Sequence, residues 1–237
     1  MKQKDILYLY NMLSSTKKIG ASLFLILLAT AIPQQLMAHP MDDALSKFSR
    51  TEVAYVYLEL GFTHIIPLGL DHILFVISLF LLSPKLKVVI WQATAFTIAH
   101  SITLGLAMYS IITPPAHIIE PVIALSIMFV AIENIITDKL KTSRVIIVFM
   151  FGLIHGMGFA SVLTDLGLPK DKFFTSLITF NVGVELGQIS IILLAWILVG
   201  KWFSDKVWYR KRIVIPVSAI IAVIGLYWTI ERTFFAS

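Results

Sequence analysis

The 237 residues include no cysteine, which excludes disulfides, thiolate metal centres and a cysteine nucleophile. Charge is scarce as well: Asp, Glu, Lys and Arg make up 14% of the chain, against about 25% in a soluble domain. No P-loop, zinc-finger or RNP pattern occurs, so ATP-driven chemistry has no motif here and the net charge of +5 does not point to nucleic acid. Apolar residues fill the space, at 58% of the chain. They are gathered into blocks of about twenty, the length that crosses roughly 30 Å of hydrocarbon.

The blocks predict an all-α fold: a polytopic membrane bundle of about six transmembrane helices after a signal peptide. Lys17 and Lys18, the apolar run Ile19–Ile32 and the stretch Pro33–Ala38 follow the order of an export signal. Cleavage is expected after Ala38, and Met12 offers a start with a more ordinary leader. Residues 1–38 are then the signal, 39–61 a short external segment ending in an interfacial helix turn, 62–230 the membrane domain and 231–237 an external tail. The six spans are Phe62–Leu82, Val88–Ile112, His117–Ile136, Val145–Asp165, Phe173–Gly200 and Ile213–Ile230. The odd-numbered connections carry ten basic residues, Arg144 among them, and the even-numbered ones carry two, Lys170 and Lys172. That asymmetry places the odd connections in the cytoplasm and both mature ends outside. Three spans followed by three could form an inverted repeat, because an odd-span unit must flip its direction.

Polar residues inside the spans carry the functional reading. His64, Asp71 and His72 lie in span one, and His100, beside Thr97, Ser101 and Thr103, in span two. Glu120, Glu133 and Asn134 lie in span three, His155 in span four, and Asn181, Glu185 and Gln188 in span five. His72, His100, His155 and Glu185 each fall within about one residue of their span's mid-point, or ~1.5 Å of rise. Asn181, Glu185 and Gln188 are spaced i, i+4, i+7 on one helix face. Gly183 and Gly187 beside them permit a close helix neighbour, as do Gly156 and Gly158 around His155. Pro67 and Gly69 can interrupt span one. No Lys or Arg lies within the six spans as drawn, so a deep carboxylate must be protonated, paired with a charged histidine or bound to a cation. Imidazole and carboxylate without thiolate favour Ni²⁺, Co²⁺ or Zn²⁺. Glu120 also reads as interfacial, Glu133 with Asn134 as a helix-end cap, and His39 and His117 as lone boundary histidines.

These stretches resemble the HupE/UreJ family of bacterial membrane proteins. The resemblance runs through His64, Asp71 and His72, then Phe96-Thr97-Ile98-Ala99-His100 and Glu120-Pro121. It continues through Glu133-Asn134, Phe151-Gly152-Leu153-Ile154-His155 and Phe180-Asn181-Val182-Gly183-Val184-Glu185, over more than half of the chain. It implies a nickel-linked accessory protein of hydrogenase and urease systems. The family's first motif is His, a short spacer and Asp-His. Six residues separate His64 from Asp71 here, where five is commoner, and the extra one turns His64 by about 100° unless Pro67 or Gly69 absorbs it.

The expected function is an inner-membrane permease for a divalent transition-metal ion, nickel first, then cobalt or zinc. The metal ligands would be His64, Asp71, His72, His100, His155 and Glu185, supported by Asn181, Gln188, Glu120, Glu133 and Asn134. Movement would be facilitated or ion-coupled. The ion is the transported substrate, and no organic cofactor is expected. The expected partners are membrane lipid, the metal ion, a second copy of the chain and a metalloenzyme maturation system, without nucleic acid. The alternative is an intramembrane zinc hydrolase with Glu185 as general base and Ser101 nearby, although no H-E-x-x-H pattern occurs.

Overall fold

Ser49 and Glu52 set the first helix. The Ser49 hydroxyl accepts the Glu52 N–H at 3.3 Å, and the Glu52 carboxylate accepts the Ser49 N–H at 2.7 Å. This capping box satisfies two N-terminal donors and starts α1, Arg50–Ile65. The structure, a computed structural model, describes residues 48–141, 143–165 and 170–235, all within the unit Met41–Ser237. The signal, its cleavage point, residues 39–47 and the last two residues of the tail lie outside the described residues.

Pro67 offers no N–H to continue a helix. The chain breaks there and restarts as α2, Leu70–Leu82, at 68° to α1. Then come α3, Leu86–Met108; α4, Ala116–Ile136; and α5, Arg144–Asp165. Helix α6, Phe173–Ala195, continues through a π turn to Phe203, and a second π turn, Arg210–Val214, leads into α7, Ile215–Phe234. Helices α3 and α4, and α6 and α7 with their extensions, are long and apolar enough to cross a membrane, as is the α1–α2 pair taken as one bent span. Helix α5 is apolar over Arg144–Ala160. The fold is an all-α polytopic membrane bundle, and each span read from the sequence corresponds to one helix or to the bent pair.

Two boundaries differ from the sequence reading. The first helix begins at Arg50, upstream of Phe62, because Val53, Tyr57, Gly61 and Ile65 recur every four residues and make one buried stripe. Arg144 is the first residue of α5 rather than a loop charge, and it is 1% exposed.

The helices pack as three lengthwise pairs, and small residues permit two of them. In the α1–α6 pair, Gly61 lies against the Phe180 carbonyl, Gly183 against the Leu58 carbonyl and Gly187 against Ile65. In the α3–α5 pair, Gly152 lies against the Phe96 carbonyl and Gly156 against that of His100. Contacts advance together along both chains, so both pairs are parallel. In the third pair Gly225 of α7 meets Met128 of α4, and Asn134 meets Ser218. Leu125, Phe129, Ile146, Ile178 and Val223 point outward, whereas His72, His100, Asn134, His155 and Gln188 are buried. An apolar exterior around a polar interior is what lipid as solvent selects.

Candidate metal site

The break between α1 and α2 creates the centre of the site. On one unbroken helix His64 and His72 would sit about 12 Å apart along the axis. The bend instead brings their ring centroids to 4.8 Å and absorbs the extra spacer residue. His100 of α3 joins them, 6.3 Å from His64 and 6.1 Å from His72. One ligand nitrogen from each of the three lies within 4.8 Å of the others. Nε2 of all three is buried without a hydrogen-bond partner among the described residues.

Proton accounting fixes what these nitrogens offer. His72 Nδ1 lies 3.1 Å from Asp71 Oδ1. A carboxylate only accepts, so Nδ1 carries the proton and Nε2 the lone pair. Asn181 donates from Nδ2 to the Leu177 carbonyl at 2.8 Å, which turns its Oδ1 toward His100 Nδ1 at 3.2 Å. His100 therefore donates from Nδ1 and also keeps its lone pair at Nε2. His155 of α5 is reversed. Ser126 gives its proton to the Ile123 carbonyl at 2.7 Å and accepts from His155 Nε2 at 3.1 Å. The lone pair of His155 is thus at Nδ1, which is buried and unpartnered among the described residues. Phe159 lies 3.8 Å from the His64 ring and Phe96 4.9 Å from that of His155, so aromatic walls shield the group from water.

The other predicted residues divide. Asp71 orients His72 and is not one of the three clustered donors. Glu185 faces away: its carboxylate accepts from Thr94 and Thr97 at 2.6 Å each. It lines a groove of about 340 Å³ between α3 and α6 together with Ser101 and Asn181. Thr94 escaped the sequence reading, although Thr94, Thr97 and Ser101 at i, i+3, i+7 form a readable polar stripe. Gln188 is buried with no side-chain partner among the described residues.

Glu133 and Asn134 belong to a second cluster. Arg144 pairs with Glu133 at 3.1 Å and donates to Asn134 Oδ1 at 3.2 Å and to the Ser78 carbonyl at 3.4 Å. Asn134 donates to the same Ser78 carbonyl and to Ser218. The cluster joins α2, α4, α5 and α7. Arg144 and His155 share α5, eleven residues or about 16 Å apart, so this cluster is not a shell of the histidine site. Glu120 is exposed near the start of α4, where its carbonyl receives Arg232 at 3.3 Å.

The family model described as HupE / UreJ protein matches residues 41–232, a range that contains every residue of the site. The chain belongs to this family. No curated protein and no solved structure matches it.

Proposed function

We propose that this HupE/UreJ family member is a permease of the bacterial inner membrane that moves a divalent transition-metal ion inward, with nickel as the first candidate and cobalt and zinc as the others. The observation that carries the reading is the set of three buried imidazole nitrogens without a hydrogen-bond partner among the described residues, two of which, in His72 and His100, keep the lone pair because Nδ1 carries the proton. Leaving such acceptors unpaired costs free energy in any role that does not bring them a partner. Imidazole donors without thiolate suit borderline divalent ions, and the family is associated with nickel uptake.

One feature favours transport over hydrolysis. Glu185, the base a hydrolase would need, is tied to Thr94 and Thr97 on the groove. The basic connections would face the cytoplasm and both mature ends the outside.

Uptake by proteoliposomes offered Ni²⁺, Co²⁺, Zn²⁺ and Mg²⁺ tests the proposal. The expected result is selective uptake of a transition-metal ion that falls about tenfold or more in His72→Ala and His100→Ala. Uptake indifferent to both changes would remove the triad from the function.

A further inference from the structure

His64 and His155 occupy matching places in two different helix pairs. In α1 the sequence is Gly61-Phe62-Thr63-His64, and in α5 it is Gly152-Leu153-Ile154-His155. Gly61 packs on the Phe180 carbonyl of α6, and Gly152 packs on the Phe96 carbonyl of α3. Each histidine then meets the phenylalanine that its own glycine touches, His64–Phe180 at 5.7 Å and His155–Phe96 at 4.9 Å.

The helix directions make this a symmetry. Helices α1 and α6 are parallel, and so are α5 and α3. Thr97 meets Glu185 while His100 meets Asn181, so α3 and α6 are antiparallel. Helices α1 and α5 therefore point in opposite directions. Exchanging α1 with α5 and α6 with α3 inverts the chain, as a twofold axis in the membrane plane does. Counted from Phe96 and Phe180, Thr97 matches Asn181 and Ser101 matches Glu185, and all four line one groove. The exchange relates the α1–α6 pair to the α3–α5 pair.

His72 has no counterpart and lies between the matched pair. Its ring is 4.8 Å from that of His64 and 5.1 Å from that of His155, edge-on to both at 69° and 83°. With Nδ1 held by Asp71, its one lone pair, at Nε2, can serve either neighbour. His155 Nδ1 is a buried donor that the triad leaves unused.

We infer that the chain holds two overlapping cation stations that share His72 and His100, one completed by His64 and the other by its matched residue His155. The inference rests on the permease reading and specifies its central step. The ion exchanges one imidazole for another, so one metal–nitrogen bond forms at His155 Nδ1 as the bond to His64 breaks. His72 and His100 hold the ion throughout. The His155 proton stays at Nε2 on Ser126, so that residue needs no proton transfer.

Full-length protein in lipid nanodiscs provides the test. His64→Ala and His155→Ala should each still bind one Ni²⁺ per chain, within about tenfold of the unaltered affinity, while uptake falls about tenfold or more. The double variant should lose binding. Because the chain has no cysteine, His64→Cys and His155→Cys each introduce a single thiol. With Cd²⁺ as probe, both should give a thiolate-to-metal charge-transfer band. That readout decides the matter even where an alanine variant fails to fold. A His155→Cys protein silent to Cd²⁺, normal uptake by His155→Ala, or retained Ni²⁺ binding in the double variant would each overturn the second station while leaving the triad intact. Absence of Ni²⁺, Co²⁺ and Zn²⁺ binding by the unaltered protein would overturn the permease reading, and this inference with it.

Discussion

The imidazole of His72 and the carboxylate of its chain neighbour Asp71 meet at 3.1 Å, Nδ1 to Oδ1, and the same oxygen accepts the His72 backbone N–H at 2.9 Å. Asp71 lies in the first turn of α2, where unpaired N–H groups favour a negative charge. One oxygen thus fixes both the direction of the ring and its tautomer. Asp71→Asn should weaken Ni²⁺ binding about 10–100-fold, the usual effect of removing such an orienting partner, with protein abundance unchanged. Calorimetry on the purified variant checks this, and an unaltered affinity would show that Asp71 does not orient the ligand.

The Arg144–Glu133 pair should govern stability rather than transport. Arg144→Met leaves Glu133 without its cation inside the bundle, a loss of about 3–5 kcal/mol for a buried pair. The melting temperature in detergent should fall, and adding Glu133→Gln should recover a substantial part of the loss. A single Arg144→Met change with normal melting but no uptake would reverse this assignment.

The contrast between these two sites shows where sequence reasoning stops. An ionisable residue inside an apolar run is anomalous on its own, so His72, His100 and His155 were legible, and rise per residue gave their shared depth. Azimuth relative to neighbouring helices is not written in one chain's spacing. Glu185 therefore shared the level of the histidines yet turns to the groove. Arg144 follows Lys139 and Lys141 and counted as another topology charge, because nothing local says that α5 begins there against α4. His64 carried a spacer that should have turned it away, and only the angle of the α1–α2 break shows that it converges.

Backbone contact gives a sharp pair of glycine tests. A methyl group at Gly61 would overlap the Phe180 carbonyl, whereas at Gly105 the nearest atom is Leu177 Cδ2 at 3.1 Å. Gly61→Ala should destabilise by about 1–3 kcal/mol, lowering the melting temperature. Gly105→Ala should be neutral or slightly stabilising, because a leucine methyl can swing aside and Ala favours the helix by about 1 kcal/mol. Equal melting of the two would contradict the α1–α6 packing.

Orientation in the membrane follows from two exposed positions. Thr113 lies between α3 and α4, and Asp205 between α6 and α7. Thr113→Cys should react with an impermeant maleimide on intact spheroplasts, and Asp205→Cys only after permeabilisation. The reverse pattern would invert the topology and the direction of transport with it.

Glu185 is the residue for which spacing and geometry give different expectations. As a ligand, its loss should damage binding as severely as the loss of His72. In the structure it holds two threonine hydroxyls instead. Thr97 has one proton and two acceptors in reach, the Glu185 carboxylate at 2.6 Å and the Ala93 carbonyl at 3.1 Å. A glutamine fits the same place: its amide nitrogen donates to Thr97, which turns its own proton to Ala93, and its carbonyl accepts from Thr94. Glu185→Gln should therefore keep Ni²⁺ affinity within about threefold, a change of roughly 0.7 kcal/mol or less. Titration of that variant beside His72→Ala decides the point, because a matched loss of binding in both would return Glu185 to the ligand set.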